Sequence, residues 1–147
     1  MSDTYSFLNV NATIVGPGGA FNIGQGAGIA EEGITIEANG DKGTMTIGAD
    51  GTGMHSLHAD KSGTLTVRLL KTSPQNAKLQ AMYDLQTADS RLYGQNVVTI
   101  TDTGSNDNHG ARGVGFKKKP TVVYAKEGQM MEWTFNAIAI DSILGTY

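Results

Sequence analysis

Residues 101–105, with the sequence TDTGS, are the residues of this chain whose types and order best fit catalysis. They follow the apolar run VVTI, and an aspartic protease places Asp-Thr-Gly at such a strand end so that two carboxylates can share a proton. The chain carries a single copy of the motif, so a homodimer would be required. Asp102 also opens a polar loop, TDTGSNDNHGARG, in which Asp-Thr-Gly is ordinary turn chemistry. We therefore predict no catalytic role for Asp102, with a dimeric aspartic protease at Asp102 as the remote alternative.

The histidines are the next residues that could bind a metal or move a proton. His55 and His58 form an H-x-x-H pair, but the sequence around them is typical of a loop or strand, where residues i and i+3 point to opposite sides. No third ligand follows at a spacing that suits zinc. His109 lies beside Asp107 without a serine or cysteine nucleophile signature to serve. The sequence therefore predicts no catalytic residue, no metal and no cofactor.

Residues 16–28, GPGGAFNIGQGAG, form a glycine-rich stretch that could in principle bind a phosphate. A P-loop would require a Gly-Lys pair, which the sequence lacks. A dinucleotide-binding fingerprint would require G-x-G-x-x-G before an apolar helix, whereas Glu31 and Glu32 follow here. Because glycine readily adopts the positive φ of tight turns, residues 16–19 instead predict the turn of an N-terminal β-hairpin.

The composition indicates one globular domain over residues 1–147. Charged residues make up 17% and apolar residues 39% of the chain, a balance that favours a packed core over disorder. The formal net charge is −3, and the short lysine run at 117–119 is predicted to be a solvated strand end, so no basic face for nucleic acid is expected. The sequence has no cysteine, no signal-peptide pattern and no apolar run that could span a membrane. We expect an intracellular product without membrane contact.

Short alternating runs separated by many of the 20 glycines predict a mainly β fold. In the run TLTVRLL, the side chains of Leu65, Val67 and Leu69 alternate with polar ones, and Trp133, Phe135 and Ala137 share a face near the C-terminus. The predicted strands cover residues 7–15, 20–23, 33–38, 64–70, 95–101, 120–126 and 130–140.

One helix is predicted at about residues 74–89. Ser73 suits the N-cap, Pro74 suits the first helical position, and a stripe of Ala77, Ala81, Leu85 and Ala88 would face the core. Residues 39–63 are glycine-rich with several turn signals, so we expect a long extended loop there.

Residues 34–79, ITIEANGDKGTMTIGADGTGMHSLHADKSGTLTVRLLKTSPQNAKL, resemble the tail tube proteins of contractile-tailed bacteriophages. The most telling feature is the alternating strand at 63–70 that runs into KTSPQN at a helix start. The N-terminal YSF and NATIVGPGG segments and the run GAGIAEEGITIE are also similar. The resemblance covers most of the chain and weakens between residues 106 and 119.

The resemblance implies a small β-sandwich or partly rolled barrel with one flanking helix. It further implies homohexameric rings whose strands line a wide lumen, stacked into the inner tube of a phage tail that conducts double-stranded DNA. Sheath, tape measure, baseplate and terminator proteins would then be partners, and the virion, assembled in the host cytoplasm, would be the location. The tube protein of type VI secretion or of another contractile injection system is the alternative.

A glycine-rich segment that carries large apolar side chains is costly as a free loop, but it is favourable as an arm that a neighbouring subunit orders. We therefore expect residues 39–58 to make the contact between rings, and residues 24–33 to lie at a subunit contact or near the ring face. The candidate inter-ring residues are Met45, Ile47, Met54, His55 and Leu57.

Overall fold

A computed structural model describes residues 4–24 and 29–146 of the chain. A short 3-10 helix at Phe7–Asn9 precedes the first strand, and one α-helix, α1, spans Gln75–Thr87. The strands are β1 (Val10–Gly16), β2 (Gly19–Asn22), β3 (Ile29–Ala38), β4 (Gly43–Ile47), β5 (Gly53–Leu57), β6 (Gly63–Leu70), β7 (Asn96–Asp102), β8 (Asp107–Lys118) and β9 (Met130–Ile143). The prediction of a mainly β protein with one helix is confirmed.

Seven strands form one antiparallel sheet in the order β2-β1-β7-β8-β9-β6-β3. The strands β4 and β5 pair separately with each other. Because β2 and β3 stand at the two ends of this order, the described residues form no closed barrel. The expected sandwich or rolled barrel is therefore realised as one open sheet with the helix packed on one face.

The core lies between that face of the sheet and α1. Burial alternates along β6, where Leu65, Val67 and Leu69 are buried as predicted. Trp133 and Phe135 of β9 are also fully buried. The ring of Phe116 lies 5.9 Å from Trp133 and 4.9 Å from Phe135 between centroids, within the range in which aromatic pairs stabilise a core beyond simple burial.

The helix starts and ends close to the predicted positions, but the prediction of its buried face is wrong. Leu79, Met82 and Gln86 are buried, whereas Leu85 is 45% exposed. The alanines of the predicted stripe are exposed as well. Long side chains reach the sheet and bury more apolar area than alanine does, so the larger residues decide which face turns inward.

A buried pair of amides joins the helix to the sheet. Gln86 Nε2 donates to Asn96 Oδ1 at 2.8 Å, and Asn96 Nδ2 donates back to Gln86 Oε1 at 2.8 Å. Gln86 Nε2 also donates to the Pro17 carbonyl at 2.8 Å, inside the turn between β1 and β2. A Cβ at Gly16 would overlap the Asn96 side chain. The glycines at 16–19 therefore form the predicted hairpin turn, and they also let it approach the amide pair.

The structure corrects the predictions for the first strand and for the loop after Asp102. Residues 7–9 form a 3-10 turn, so the first strand starts at Val10. The supposed polar loop after Asp102 is a short turn, with Asn106 at φ +65°, followed by the long strand β8. Polar residues in β8 point away from the core, which is why the segment looks like a loop in the sequence.

Residues 120–126 form no strand, although their composition favours one. Proline lacks the N–H that a ladder requires, and the pairing of β8 with β9 ends at Lys118, after a register shift and just before Pro120. The lysine run at 117–119 does lie at a strand end, as predicted. Residues 25–28 fall outside the described residues, so the role expected for residues 24–33 stays a prediction.

Candidate assembly surface

Asp102 lies at the end of β7, where its carboxylate takes part in a turn. Its Oδ1 accepts the backbone N–H of Gly104 at 2.9 Å, and its side chain is almost completely buried. Asp107 stands opposite Asp102 in the ladder between β7 and β8. The Oδ1 of Asp107 accepts the backbone N–H of Gly145 at 2.8 Å. Both carboxylates thus bond to main-chain groups of turns, which is a structural arrangement.

The structure pairs His109 with a serine that sequence reasoning missed. His109 Nδ1 lies 2.8 Å from Ser142 Oγ because the two residues stand opposite each other in the β8–β9 ladder. A nucleophilic serine also needs a third group to orient the histidine, and within residues 4–24 and 29–146 the His109 ring bonds to no carboxylate. The same part of the chain contains no group of three or more metal-ligating side chains.

Residues 39–62, here called the arm, connect β3 to β6 and contain the hairpin of β4 and β5. The long extended loop that the sequence predicted is therefore an ordered two-stranded ribbon. At its tip the Gly48 N–H donates to the Thr52 carbonyl at 2.7 Å, and Gly51 adopts φ +88°. Hydrogen bonds from Thr52 hold the pKa of the Asp50 carboxyl below its usual value. The tip carries a negative charge at neutral pH, as any ordinary aspartate does.

Cross-strand register decides which side chains of the arm share a face. Met45 pairs with His55, Gly43 pairs with Leu57, and Ile47 pairs with Gly53. Since side chains opposite each other in a ladder point to the same side, the four residues Met45, Ile47, His55 and Leu57 share one face, here called the apolar arm face. Met54 pairs with Thr46 and points to the other side. The structure therefore brings together all the candidate stacking residues except Met54.

The apolar arm face is uncovered in the single chain. Met45 is 60% exposed, Ile47 54% and Leu57 83%. An isolated two-stranded ribbon is at most marginally stable in water, and a patch of exposed apolar side chains on it marks an interaction surface. β4 and β5 pair with no other strand among the described residues.

Hydrogen bonds at its root hold the arm to the sheet. The Asn39 N–H donates to the Ser62 carbonyl at 3.2 Å, and Thr64 Oγ1 donates to Asn39 Oδ1 at 2.8 Å. The Ile140 N–H donates to the Lys61 carbonyl at 2.9 Å. The arm is thus anchored at one end of β6 and projects away from the body.

The face of the sheet opposite the helix carries rows of threonine side chains, together with exposed apolar residues such as Val15, Val97 and Ile138. Thr13 stands opposite Thr99, and Thr66 stands opposite both Thr35 and Thr134. Arg68 and Glu132 form an ion pair on this face, with Arg68 Nε 3.3 Å from Glu132 Oε2. The arm, the sheet edges and this face are the features that an assembly could use.

A scan against protein-family models matches residues 1–145 to the family described as Bacteriophage PhiTE tail tube protein. The chain belongs to this tail tube family. The resemblance seen in the sequence is thereby confirmed, and the family is one of structural tube proteins. A search of curated protein sequences found no match.

Solved structures with the same fold come from contractile injection systems. A chain of the PVC sheath-tube complex in the extended state is 9% identical, with a TM-score of 0.62 over 97% of this chain and 93% of that chain. A chain of the anti-feeding prophage baseplate is 11% identical, with a TM-score of 0.61 over 97% of both chains. A chain of the PVC sheath/tube terminator is 12% identical, with a TM-score of 0.57 over 97% of this chain and 98% of that chain. At these identities the likeness concerns the fold. Among the described residues, no helix is long and apolar enough to cross a membrane.

Proposed function

We propose that residues 1–147 act as one tail tube domain, six copies of which close into a ring, and that these rings stack into the inner tube of a contractile phage tail. The observation that carries the proposal is the apolar arm, which leaves the body with its large side chains in water. Exposed apolar side chains of this size are favourable only where another molecule covers them. The tube has no chemistry of its own and serves as a conduit for double-stranded DNA.

Ring closure would cover the edges of the sheet. β2 and β3 end the strand order, and open edges tend to pair with another chain unless something covers them. A closed ring repeats one heterologous contact six times and leaves no edge free. The face with the threonine rows then suits the lumen wall, because hydroxyl side chains form no ion pairs with DNA phosphates.

Ring stacking would bury the apolar arm face. Each large side chain that becomes fully buried contributes roughly 1.5–3 kcal/mol. The contact recurs at every subunit of a ring, so small losses multiply along the stack. We assign this contact to Met45, Ile47, His55 and Leu57, whereas Met54 lies on the other arm face and outside this contact.

A tube of a type VI secretion system or another contractile injection system is the second candidate. It is favoured by the structural neighbours, which come from an extracellular contractile injection system and from the anti-feeding prophage. The assembly would be the same and the cargo would differ. Sheath, baseplate and terminator proteins would be partners in either case, and a tape measure protein in the phage tail.

The test is electron microscopy of the purified protein with a double variant, Met45→Asp with Ile47→Asp. We expect native circular dichroism, since the core residues lie elsewhere, together with single rings or monomers and no tubes. The matched control is Thr44→Asp with Thr46→Asp, which places the same charges on the same strand but on its other face. We expect the control to retain tubes. Tubes of normal length from the Met45 and Ile47 variant would move the stacking surface elsewhere, for example to residues 103–113.

A further inference from the structure

We propose that the apolar arm face of one copy docks on a defined patch at the opposite end of a second copy in the next ring. The patch, here called the basic end, consists of exposed apolar side chains and the lysines around them. This inference rests on the proposed stacking role of the arm and adds its receiving surface. The residues of the basic end are Leu70, Lys71, Lys117, Lys118, Lys119, Val122, Val123, Tyr124, Lys126 and Met130.

The arm and the basic end lie at opposite ends of one strand. The arm root joins β6 at Gly63, and β6 ends at Leu70, which pairs with Met130. At about 3.3 Å per residue this separates the two ends by roughly 23 Å. In a stack of identical rings that all point the same way, one end of a subunit meets the opposite end of the next one. The arm must therefore find its partner at the end where Leu70 lies.

The apolar side chains of the basic end are exposed, and two contacts join some of its residues. Tyr124 is 87% exposed, and the Lys71 Nζ lies 4.8 Å from the centroid of its ring. Leu70 and Met130 stand side by side in the ladder and are 48% and 43% exposed. Val122 is also half exposed. Exposed apolar side chains that lie together mark an interaction site. The segment therefore suits a contact that forms on assembly.

The charges of the two surfaces are complementary. Between Gly43 and Leu57 the arm carries one carboxylate, Asp50, and neither lysine nor arginine. The basic end carries lysines at positions 71, 117, 118, 119 and 126, against the single carboxylate of Glu127 in its connecting segment. Opposite charges around an apolar contact select the partner and its orientation. A second copy of this chain therefore supplies both the apolar and the electrostatic match.

Three other exposed apolar residues lie at the end of the sheet from which the arm leaves. Ile143 and Leu144 are 68% and 73% exposed, but Ile143 pairs with Asn108 at the start of β8, the end of the sheet from which the arm leaves. Leu8 is 75% exposed and lies beside β1, where Val10 pairs with Asp102 at that same end. An arm that points to the next ring moves away from these residues.

The first experiment is site-specific crosslinking of assembled tubes. The chain has no cysteine, so Ile47→Cys with Tyr124→Cys places the only two thiols at opposite ends of each subunit. We expect a short bismaleimide to convert tubes of this variant into a ladder of covalent oligomers, which single-cysteine variants cannot form beyond dimers. The control is Ile47→Cys with Leu8→Cys, for which we expect no ladder. Tubes that crosslink through position 8 and not through position 124 would overturn the proposal while leaving arm-mediated stacking intact.

The second experiment covers the case in which the cysteine variant fails to assemble. Tyr124→Asp is expected to keep native circular dichroism and to yield single rings without tubes, because it places a carboxylate where the apolar arm face docks. Tyr5→Asp, at a similarly exposed tyrosine outside the basic end, is expected to assemble normally. Tubes of normal length from Tyr124→Asp would overturn the basic end as the receiving surface. If the Met45 and Ile47 variant also formed tubes, the stacking proposal itself would fail.

Discussion

Asp102 shows how a catalytic-looking motif can serve a turn. Its carboxylate accepts the Gly104 N–H, and the Thr103 N–H donates to the Asn9 carbonyl at 3.0 Å. The motif therefore ties the end of β7 to the segment before β1. Asn at position 102 would keep an acceptor in the same place, whereas Ala would remove it.

We predict that Asp102→Asn and the unmodified protein show the same absence of peptide cleavage at acidic pH. We also predict that Asp102→Ala lowers the free energy of unfolding by about 1.5–3 kcal/mol, the usual contribution of a hydrogen bond to a charged group, and that Asp102→Asn lowers it less. Urea denaturation measures both variants. Acid-dependent cleavage that Asp102→Asn abolishes would restore the protease alternative.

The buried amides of Gln86 and Asn96 are a second feature at this scale. We predict that Gln86→Leu lowers the free energy of unfolding by about 1–3 kcal/mol, since it strands the Asn96 amide in the core. Gln86→Leu combined with Asn96→Leu should cost less than the sum of the single variants, because neither amide is then left alone. Chemical denaturation tests the cycle, with Gln80→Leu on the exposed part of the helix as the control. Strict additivity would contradict the pairing.

The arm is the element that joins the fold to the proposed function. Its strands pair only with each other in the described structure, and the bonds to the sheet lie at its root. The Asp60 carboxyl, at that root, has a pKa below its usual value because Ser62 donates to it, with smaller contributions from Lys42 and His58. Residues that flank β4 and β5, and not residues of these two strands, therefore surround the Asp60 carboxyl at the root.

We predict that replacing residues 43–57 with a short Gly-Ser linker changes the free energy of unfolding by less than about 1 kcal/mol, as expected for a surface change away from the core. The shortened protein should remain folded and form no tubes. Thermal denaturation and electron microscopy measure the two outcomes. A shortened protein that no longer folds would show that the hairpin stabilises the sheet as well as the stack.

At the scale of the whole molecule, the net charge would make the proposed tube negative. At −3 per chain, a ring of six copies would carry about −18. Like charges repel, so a proposed DNA conduit should not retain its cargo. The lysines of the basic end face the next ring in our proposal and would be covered in the tube.

We predict that assembled tubes bind duplex DNA more weakly than micromolar at physiological salt. The affinity should change little with salt concentration, because few phosphates would be neutralised. Fluorescence anisotropy with a labelled duplex measures both quantities. Micromolar or tighter affinity with a steep salt dependence would mean that a cationic surface remains open, contrary to the proposed lumen.

The sequence by itself determined the features that depend on local pattern. The alternation of Leu65, Val67 and Leu69 specifies a strand with one buried face, because side chains of a strand alternate whatever its neighbours are. Ser73 and Pro74 specify a helix start, and the glycines at 16–19 specify a turn, through local sterics and hydrogen bonds. The apolar residues of the arm were likewise visible as large side chains in a glycine-rich segment.

Only the tertiary structure decided the features that depend on partners distant in sequence. The helix buries Leu79 because that side of the helix packs against the sheet. The segment 107–118 forms a strand because it pairs with β7 and β9. Cross-strand register placed Met54 on the opposite arm face and brought Ser142 beside His109. The opposition of the arm and the basic end exists only once β6 spans the distance between them. Such pairings arise from contacts between segments distant in sequence, and a local pattern of residues does not specify which strands become neighbours.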